Sequence, residues 1–233
     1  MKIDAYFSGS KGNCYRLTGG DSTLLLEAGV KIHQVQQAVN YHLANIDGVL
    51  ISHEHSDHSH AVKALVRRGI KVYMSHGTAN ALELDADSYY KLADMEQIKI
   101  GSFTVLPFAT KHDAAEPLGF YIAQGSERLV FATDTYFVPL TFKRVNYWML
   151  ECNYSEFILK QNIEAGKIHK VLANRLLKSH FSLENLLKFL SKQDLSCTKK
   201  IYLLHTSQEN GDPEYFERRV RQVTGKPTQV CGI

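Results

Sequence analysis

The sequence predicts an α/β protein in which two β-sheets pack face to face with helices outside. Three observations carry this. Around residues 47–74 the chain runs strand, loop, helix, strand. Strand-like runs fall into two blocks, each accompanied by helical stretches. Isolated polar residues stand just past the ends of apolar runs, as in α/β enzymes that gather functional loops at one edge of a sheet.

The elements follow in order. Strands are expected at Lys2–Phe7, Cys14–Leu17 and Thr23–Glu27, separated by the glycine turns Ser8–Asn13 and Gly19-Gly20-Asp21. Lys31–Val39 reads as a helix. Asp47–Ser52 is a short β-branched apolar run, the pattern of a buried strand. A helix at Ala61–Arg68 and a strand at Lys71–Met74 complete the first block. Strands at Phe103–Ala109, Gly119–Ala123, Leu129–Ala132 and Tyr147–Leu150 make the second. Helices at Ile168–Lys178 and Leu183–Leu190, a strand at Ile201–Leu204, a helix at Pro213–Val223 and a strand at Thr228–Val230 close it.

The 233 residues, 44% hydrophobic and 22% charged, are enough for a sizeable core, and no linker, repeat or low-complexity tract divides them. One domain, 1–233, is expected. A net charge of +3 does not by itself argue for nucleic acid. The four cysteines form no C-x-x-C pair and read as free thiols in a reducing compartment. Neither a signal peptide nor a membrane-length apolar run is visible. These features together point to the cytoplasm and away from a membrane.

The strongest local feature is His53-Glu54-His55-Ser56-Asp57-His58. It packs three imidazoles and two carboxylates into six residues directly after a buried strand. Such a cluster is costly to desolvate without a cation, and imidazole and carboxylate suit zinc, manganese and iron alike. On an extended segment His53 and His55 point the same way. Asp57 and His58 follow where the chain turns toward a helix, so one loop can serve two ions. The remaining donors are scattered: His112 past Phe103–Ala109, Asp134 past Leu129–Phe131, and His205 past Ile201–Leu204. Each alone reads as a turn or cap residue; together with the cluster they make a constellation.

That constellation resembles the five-part motif of the metallo-β-lactamase superfamily. Ser8–Asn13, Glu27-Ala28-Gly29, Ser52–His58, His112–Pro117, Thr133-Asp134-Thr135 and Glu151-Cys152-Asn153 are similar to the YycJ (WalJ) group within it, a resemblance running from about Phe7 to about Asn210. The resemblance implies a four-layer αββα sandwich with no inserted second domain, and two divalent ions, Zn2+ or Mn2+, with Fe also admitted. It assigns His53, His55 and His112 to one ion, Asp57, His58 and His205 to the other, and Asp134 as the bridge. It implies a nuclease acting on DNA. Glu27 stands where related sequences usually carry Asp, and Thr206-Ser207 where Leu-Ser is commoner; neither change removes a ligand.

In such two-metal sites the ions lie about 3.5–4 Å apart and share a water that attacks phosphorus as hydroxide. Asp57 and Asp134 then help orient the nucleophile. Glu151 and His180 are the candidates for protonating the leaving oxygen, since a carboxylate that holds and charges an imidazole makes a general acid. The Ser8–Asn13 turn could offer Ser8 and Asn13, with His180, to the substrate phosphate, or serve only as a tight hairpin. Lys160, Lys167, Lys170, Arg175 and Lys178, against Glu156 and Glu164, could track a phosphate backbone. Alternatives with the same metal motif are a hydrolase of small cyclic or nucleotide phosphodiesters and, less favoured by the Glu151–His180 pair, an acyl hydrolase such as a thioesterase or lactonase.

Overall fold

The structure is a computed structural model and describes residues 1–232. The chain forms two compact units: Met1–Ala109 with Ala114–Glu127, and Thr110–Asp113 with the chain from Arg128 onward.

The first unit begins with strands β1 (Lys2–Phe7), β2 (Cys14–Gly19) and β3 (Ser22–Leu26), joined as antiparallel hairpins. After helix α1 (Ile32–Ala38), β4 (Gly48–Leu50), β5 (Val72–Ser75) and β6 (Tyr90–Leu92) add in parallel. The sheet order is therefore β1-β2-β3-β4-β5-β6. β4 has parallel neighbours on both edges, and all three of its residues are buried. This is why the sequence shows a continuous apolar run there and no alternation. Val35 and Ala38 of α1, Val62 and Leu65 of α3 (Val62–Val66), and Ala79 of α4 (His76–Ala81) join Leu25, Val49, Val72 and Met74 in one apolar core. The same unit contains the antiparallel run β7 (Ile98–Ile100), β8 (Phe103–Ala109) and β9 (Leu118–Gln124).

The second unit is built on a parallel ladder: β10 (Glu127–Ala132), β11 (Tyr147–Glu151), β12 (Lys200–Leu204) and β13 (Thr228–Val230). Because these strands run parallel, the residues just past β10, β11 and β12 emerge at the same end of the ladder. Asp134, Cys152–Asn153 and His205 stand there. Helices α5 (Glu156–Glu164), α6 (Lys170–Ser179) and α7 (Leu183–Leu190) lie between β11 and β12, and α8 (Pro213–Thr224) precedes β13. α7 buries Leu183, Leu186, Phe189 and Leu190 at helical spacing and is capped by Ser182, whose Oγ accepts from Asn185 N. α8 starts at the Asp212-Pro213 cap and stops at Gly225 in the left-handed region.

The expected elements are present with shifts of a few residues at their ends. Helix α5 was not expected. Its mixed Glu156–Glu164 sequence buries one residue, Leu159, and so carries almost no amphipathic signal. The short helices α2 (Ser56–Ser59) and α4 and the strands β6 and β7 also went unpredicted. Each is too brief for periodicity to show. No helix among the described residues is long and apolar enough to cross a membrane.

Candidate metal centre

The cluster of the first unit sits in the β4–α2 loop. Gly29 makes its placement possible: a Cβ there would lie 1.6 Å from the backbone oxygen of Asp57. The loop is fastened by backbone bonds from Asn13 N to Asp57 O (2.8 Å) and from Ala28 N to His58 O (2.8 Å). Ser59 Oγ donates back to Glu54 O (2.7 Å) and closes the turn. The loop thus gathers three imidazoles: the His53 ring lies 4.7 Å from His55 and 4.2 Å from His58 between centroids. His53 and His58 are buried, while His55 and Asp57 are half-buried. Ser52 Oγ lies 2.9 Å from His53 Nδ1, and Asp57 Oδ2 lies 3.4 Å from His58 Nε2.

Glu27 is fully buried and takes a left-handed backbone (φ 63°). Its carboxylate accepts from Ser52 N (3.2 Å) and lies 3.5 Å from His58 Nδ1. Burial pushes its pKa up, against the opposing pull of His58 and Ser52. It therefore steadies both the strand end and an imidazole.

Asn13 is fully buried. Its amide donates to Asp57 O (3.0 Å) and Gly9 O (3.1 Å), and its Oδ1 accepts from Gly9 N (2.9 Å) and Tyr15 OH (3.0 Å). These bonds hold the Ser8–Asn13 turn against the Asp57 loop. Ser8 Oγ lies 2.7 Å from Tyr15 OH. His76 is bonded to Tyr89 OH and Asn80, and His60 is exposed.

The second unit brings together His112, Asp134, Glu151, His180 and His205. One ligand atom each from Asp134, Glu151, His180 and His205 lies within 4.8 Å of the others. Asp134 (φ 45°) and His205 (φ 51°) hold left-handed backbones immediately after their strands, where local strain turns the side chains toward this group. Thr133 Oγ1 donates to Asp134 Oδ1 (2.8 Å), and His205 Nδ1 lies 3.5 Å from the same oxygen. Asn153 Nδ2 donates to His205 O (2.8 Å) and approaches its Nδ1 (3.2 Å). Sequence reasoning gave Asn153 no role, although it belongs to the Glu151-Cys152-Asn153 segment that carries the resemblance. Only its place beside His205 reveals what it does.

His112 Nδ1–H donates to Ser179 O (2.9 Å). This fixes the tautomer and leaves Nε2, 3.7 Å from Asp134 Oδ2, with its lone pair available. Burial lowers the pKa of His112 and outweighs the nearby carboxylates, so the ring is kept neutral, as a ligand must be. The donor set is imidazole and carboxylate. Cys152 next to Glu151 is buried and its thiol is pushed well up by that burial, so no thiolate joins it. Such a set fits divalent ions of the zinc, manganese and iron type.

Glu151 is fully buried and accepts from three directions: His180 Nδ1–H (2.6 Å), Phe181 N (3.0 Å) and Thr135 N (3.1 Å). Burial alone would raise its pKa, but the charge and hydrogen bond of His180 hold it below the ordinary value. Burial alone would lower that of His180, but the Glu151 charge and hydrogen bond hold it above. Each group thus favours the charged form of the other. The His180 ring stacks on His205 at 5.6 Å and 17°, and its Nδ1 lies 3.8 Å from Asp134 Oδ2.

Residues 22–205 match the family model described as a beta-lactamase superfamily domain. The chain is 30% identical to the exodeoxyribonuclease WalJ of Streptococcus pneumoniae over 229 residues, covering 92% of this chain and 84% of that one. It is 28% identical to the exodeoxyribonuclease YycJ of Bacillus anthracis over 233 residues, covering 93% and 86%. Among solved structures it is similar to the metallo-β-lactamase fold protein YhfI of Bacillus subtilis, with a TM-score of 0.74 at 14% identity over 99% of this chain and 96% of that one.

The chain belongs to the metallo-β-lactamase superfamily and resembles its WalJ and YycJ members over most of its length. It is a metal-dependent hydrolase with the α/β sandwich fold of that superfamily, as the sequence led us to expect.

Proposed function

We propose that this hydrolase is a dinuclear phosphodiesterase acting on DNA. His53, His55 and His112 would hold one divalent ion, Asp57, His58 and His205 the other, and Asp134 would bridge them. In this reading residues 1–233 work as one domain. Bound divalent ions supply Lewis acidity, lowering the pKa of water and offsetting charge on phosphate oxygens.

The observation that carries the phosphodiester reading is the Glu151–His180 dyad at 2.6 Å. The ester oxygen of a cleaved phosphodiester departs as an alkoxide and needs a proton. His180 Nδ1–H is committed to Glu151, so the proton delivered is the one on Nε2. As the bond from phosphorus to the leaving oxygen breaks, that proton moves to the oxygen, and the Glu151 charge steadies the ring until it is recharged. The hydrogen bonds from Phe181 N and Thr135 N keep Glu151 an acceptor throughout.

Two further points support DNA. The two relatives aligned over most of the chain, WalJ and YycJ, are named exodeoxyribonucleases. Lys167, Lys170 and Lys178 are exposed and carry no ion pair among the described residues, which suits a phosphate backbone. Arg175 is bound to Asp113 (3.0 Å) and Lys160 lies 3.9 Å from Glu164, so those two contribute less.

The test is to count bound metal by elemental analysis and to incubate the loaded protein with 5′-phosphorylated duplex DNA, single-stranded DNA, bis-p-nitrophenyl phosphate and a β-lactam. Metal-dependent loss of DNA is expected. Hydrolysis of the small diester alone would favour a small-molecule phosphodiesterase. Hydrolysis of the lactam alone would end the phosphodiester reading.

A further inference from the structure

A pocket of about 190 Å3 opens in the second unit beside the loop that follows Asp134. It is smaller than the roughly 300–1,000 Å3 of a drug-sized ligand site and suits one planar ring system. Its floor is aromatic: the buried rings of Phe181 and Phe189 lie 6.0 Å apart, and Phe189 meets Trp148 edge-on at 5.9 Å. Its rim is formed by Tyr136 and Phe137, which are 39% and 50% exposed. Two adjacent large aromatics half in water are unfavourable unless something covers them.

The rim is rigid. Thr135 Oγ1 accepts from Lys111 N (3.0 Å) and donates to Phe137 O (3.0 Å). The Gln193 side chain clamps the far end of the loop, donating to Leu140 O (3.1 Å) and accepting from Phe142 N (2.9 Å). Such a pocket takes a ligand without first having to order itself.

Its charge is one-sided. Lys188 and Lys192 line it, both are exposed, and neither ammonium has an ion pair among the described residues. Lys188 lies in the last turn of α7 and Lys192 just past its end, so two like charges border the same opening and favour an anion there.

Its position ties it to the dyad. Phe181 directly follows His180, and its N–H is bonded to Glu151. Phe137 is three residues from Asp134, within about 10 Å along the chain. A planar group in the pocket and a phosphate near His180 are thus within reach of the same or neighbouring nucleotides.

We propose that this pocket is a stacking subsite for one unpaired nucleobase of a single-stranded DNA substrate, with Phe137 and Tyr136 on the ring and Lys188 and Lys192 on the flanking phosphates. It rests on the phosphodiester reading above and narrows the substrate to a strand with an unstacked base. Stacking on aromatic faces tolerates any sequence, because every base has a π-face.

The test is binding by the full-length protein in chelator, read by fluorescence anisotropy with a 3′-labelled oligo-dT. The same oligonucleotide is made with a single abasic site at each position in turn. In the native protein one abasic position weakens binding roughly 5- to 150-fold, the range of a single base–aromatic stack. In Phe137→Ala that ratio falls below about 2-fold, and Phe137→Trp restores it. Tyr136→Ala gives a second reading, and circular-dichroism melting checks the fold of each variant. In Lys188→Gln/Lys192→Gln all oligonucleotides bind more weakly alike, and the salt slope becomes shallower by about 1.4.

If no abasic position matters in the native protein, or if Phe137→Ala keeps the ratio, the subsite is wrong. If the binding pattern holds while the loaded enzyme cleaves no diester, the phosphodiester reading falls and the subsite stands. If diesters are cleaved but the ratio is flat, only the subsite falls.

Discussion

Replacing Glu151 by Gln is the sharpest perturbation the site offers, because the change is isosteric and touches one charge. The native carboxylate accepts from His180 Nδ1–H, Phe181 N and Thr135 N, with His205 Nδ1 at 3.3 Å. In Glu151→Gln the amide oxygen can keep the two backbone donors. The amide NH2 then faces His180 Nδ1, which must become an acceptor and give up the positive form of the ring. What is lost is one charge-assisted hydrogen bond, about 1.5–3 kcal/mol. For a chain of this size that is a fall in Tm of about 3–12 °C.

The loss depends on pH. His180 has a raised pKa, so its share of the stabilisation is complete below the ordinary value of 6.5 and disappears as pH rises through the raised one. Glu151 has a lowered pKa, so its share is complete above 4.5 and disappears as pH falls through the lowered one. The stability gap between native protein and Glu151→Gln should therefore be widest in the mildly acidic range and close on both sides. Chelator-treated protein, melted across pH and followed by NMR titration of the His180 imidazole, reads both effects. Turnover of a DNA substrate by the loaded variant should fall by about 10²–10⁴, the usual worth of a positioned general acid. If His180 titrates at the same pH in the variant, Glu151 does not hold its charge and the dyad argument collapses.

Asp134→Ala should abolish activity and release at least one metal ion per chain by elemental analysis; a variant with full metal content and native turnover would remove Asp134 from its bridging role. Gly29→Ala should destabilise strongly, by about 3 kcal/mol or more, because its Cβ would run into the Asp57 backbone and something must shift. A native-like melting curve would show that the loop simply gives way. Cys14 and Cys231 are both pushed up to about 12 by burial, and Cys152 is likewise raised, so at pH 8 these thiols are almost wholly protonated. Only the exposed Cys197 should react promptly with Ellman's reagent, and the other three on unfolding. Two or more prompt equivalents would contradict the burial seen for them.

The sequence by itself determined the chemistry of this protein. The residues His53–His58 form one continuous segment, and six polar residues in a row after a buried strand leave a local trace that no neighbour can hide. Strand ends at Asp134 and His205 were legible for the same reason: an apolar run stops and a lone ligand-type residue follows. The rest lay in contacts between distant segments. Glu151 and His180 were paired in the sequence reading only through the resemblance, because nothing local links positions 29 apart; α6 and the α6–α7 turn set their 2.6 Å contact. For Asn13 the sequence left open a phosphate contact or a plain hairpin, and only the folded structure shows its buried amide bonded to the Asp57 loop. Helix α5 left no periodic signal because it buries a single side chain. The aromatic pocket draws Phe137 and Phe181 from segments more than forty residues apart, which no reading of spacing could have joined. Short-range pattern records which donors a site has. Which of them meet, and at what distance, depends on packing between elements, and that is set only once the whole chain has folded.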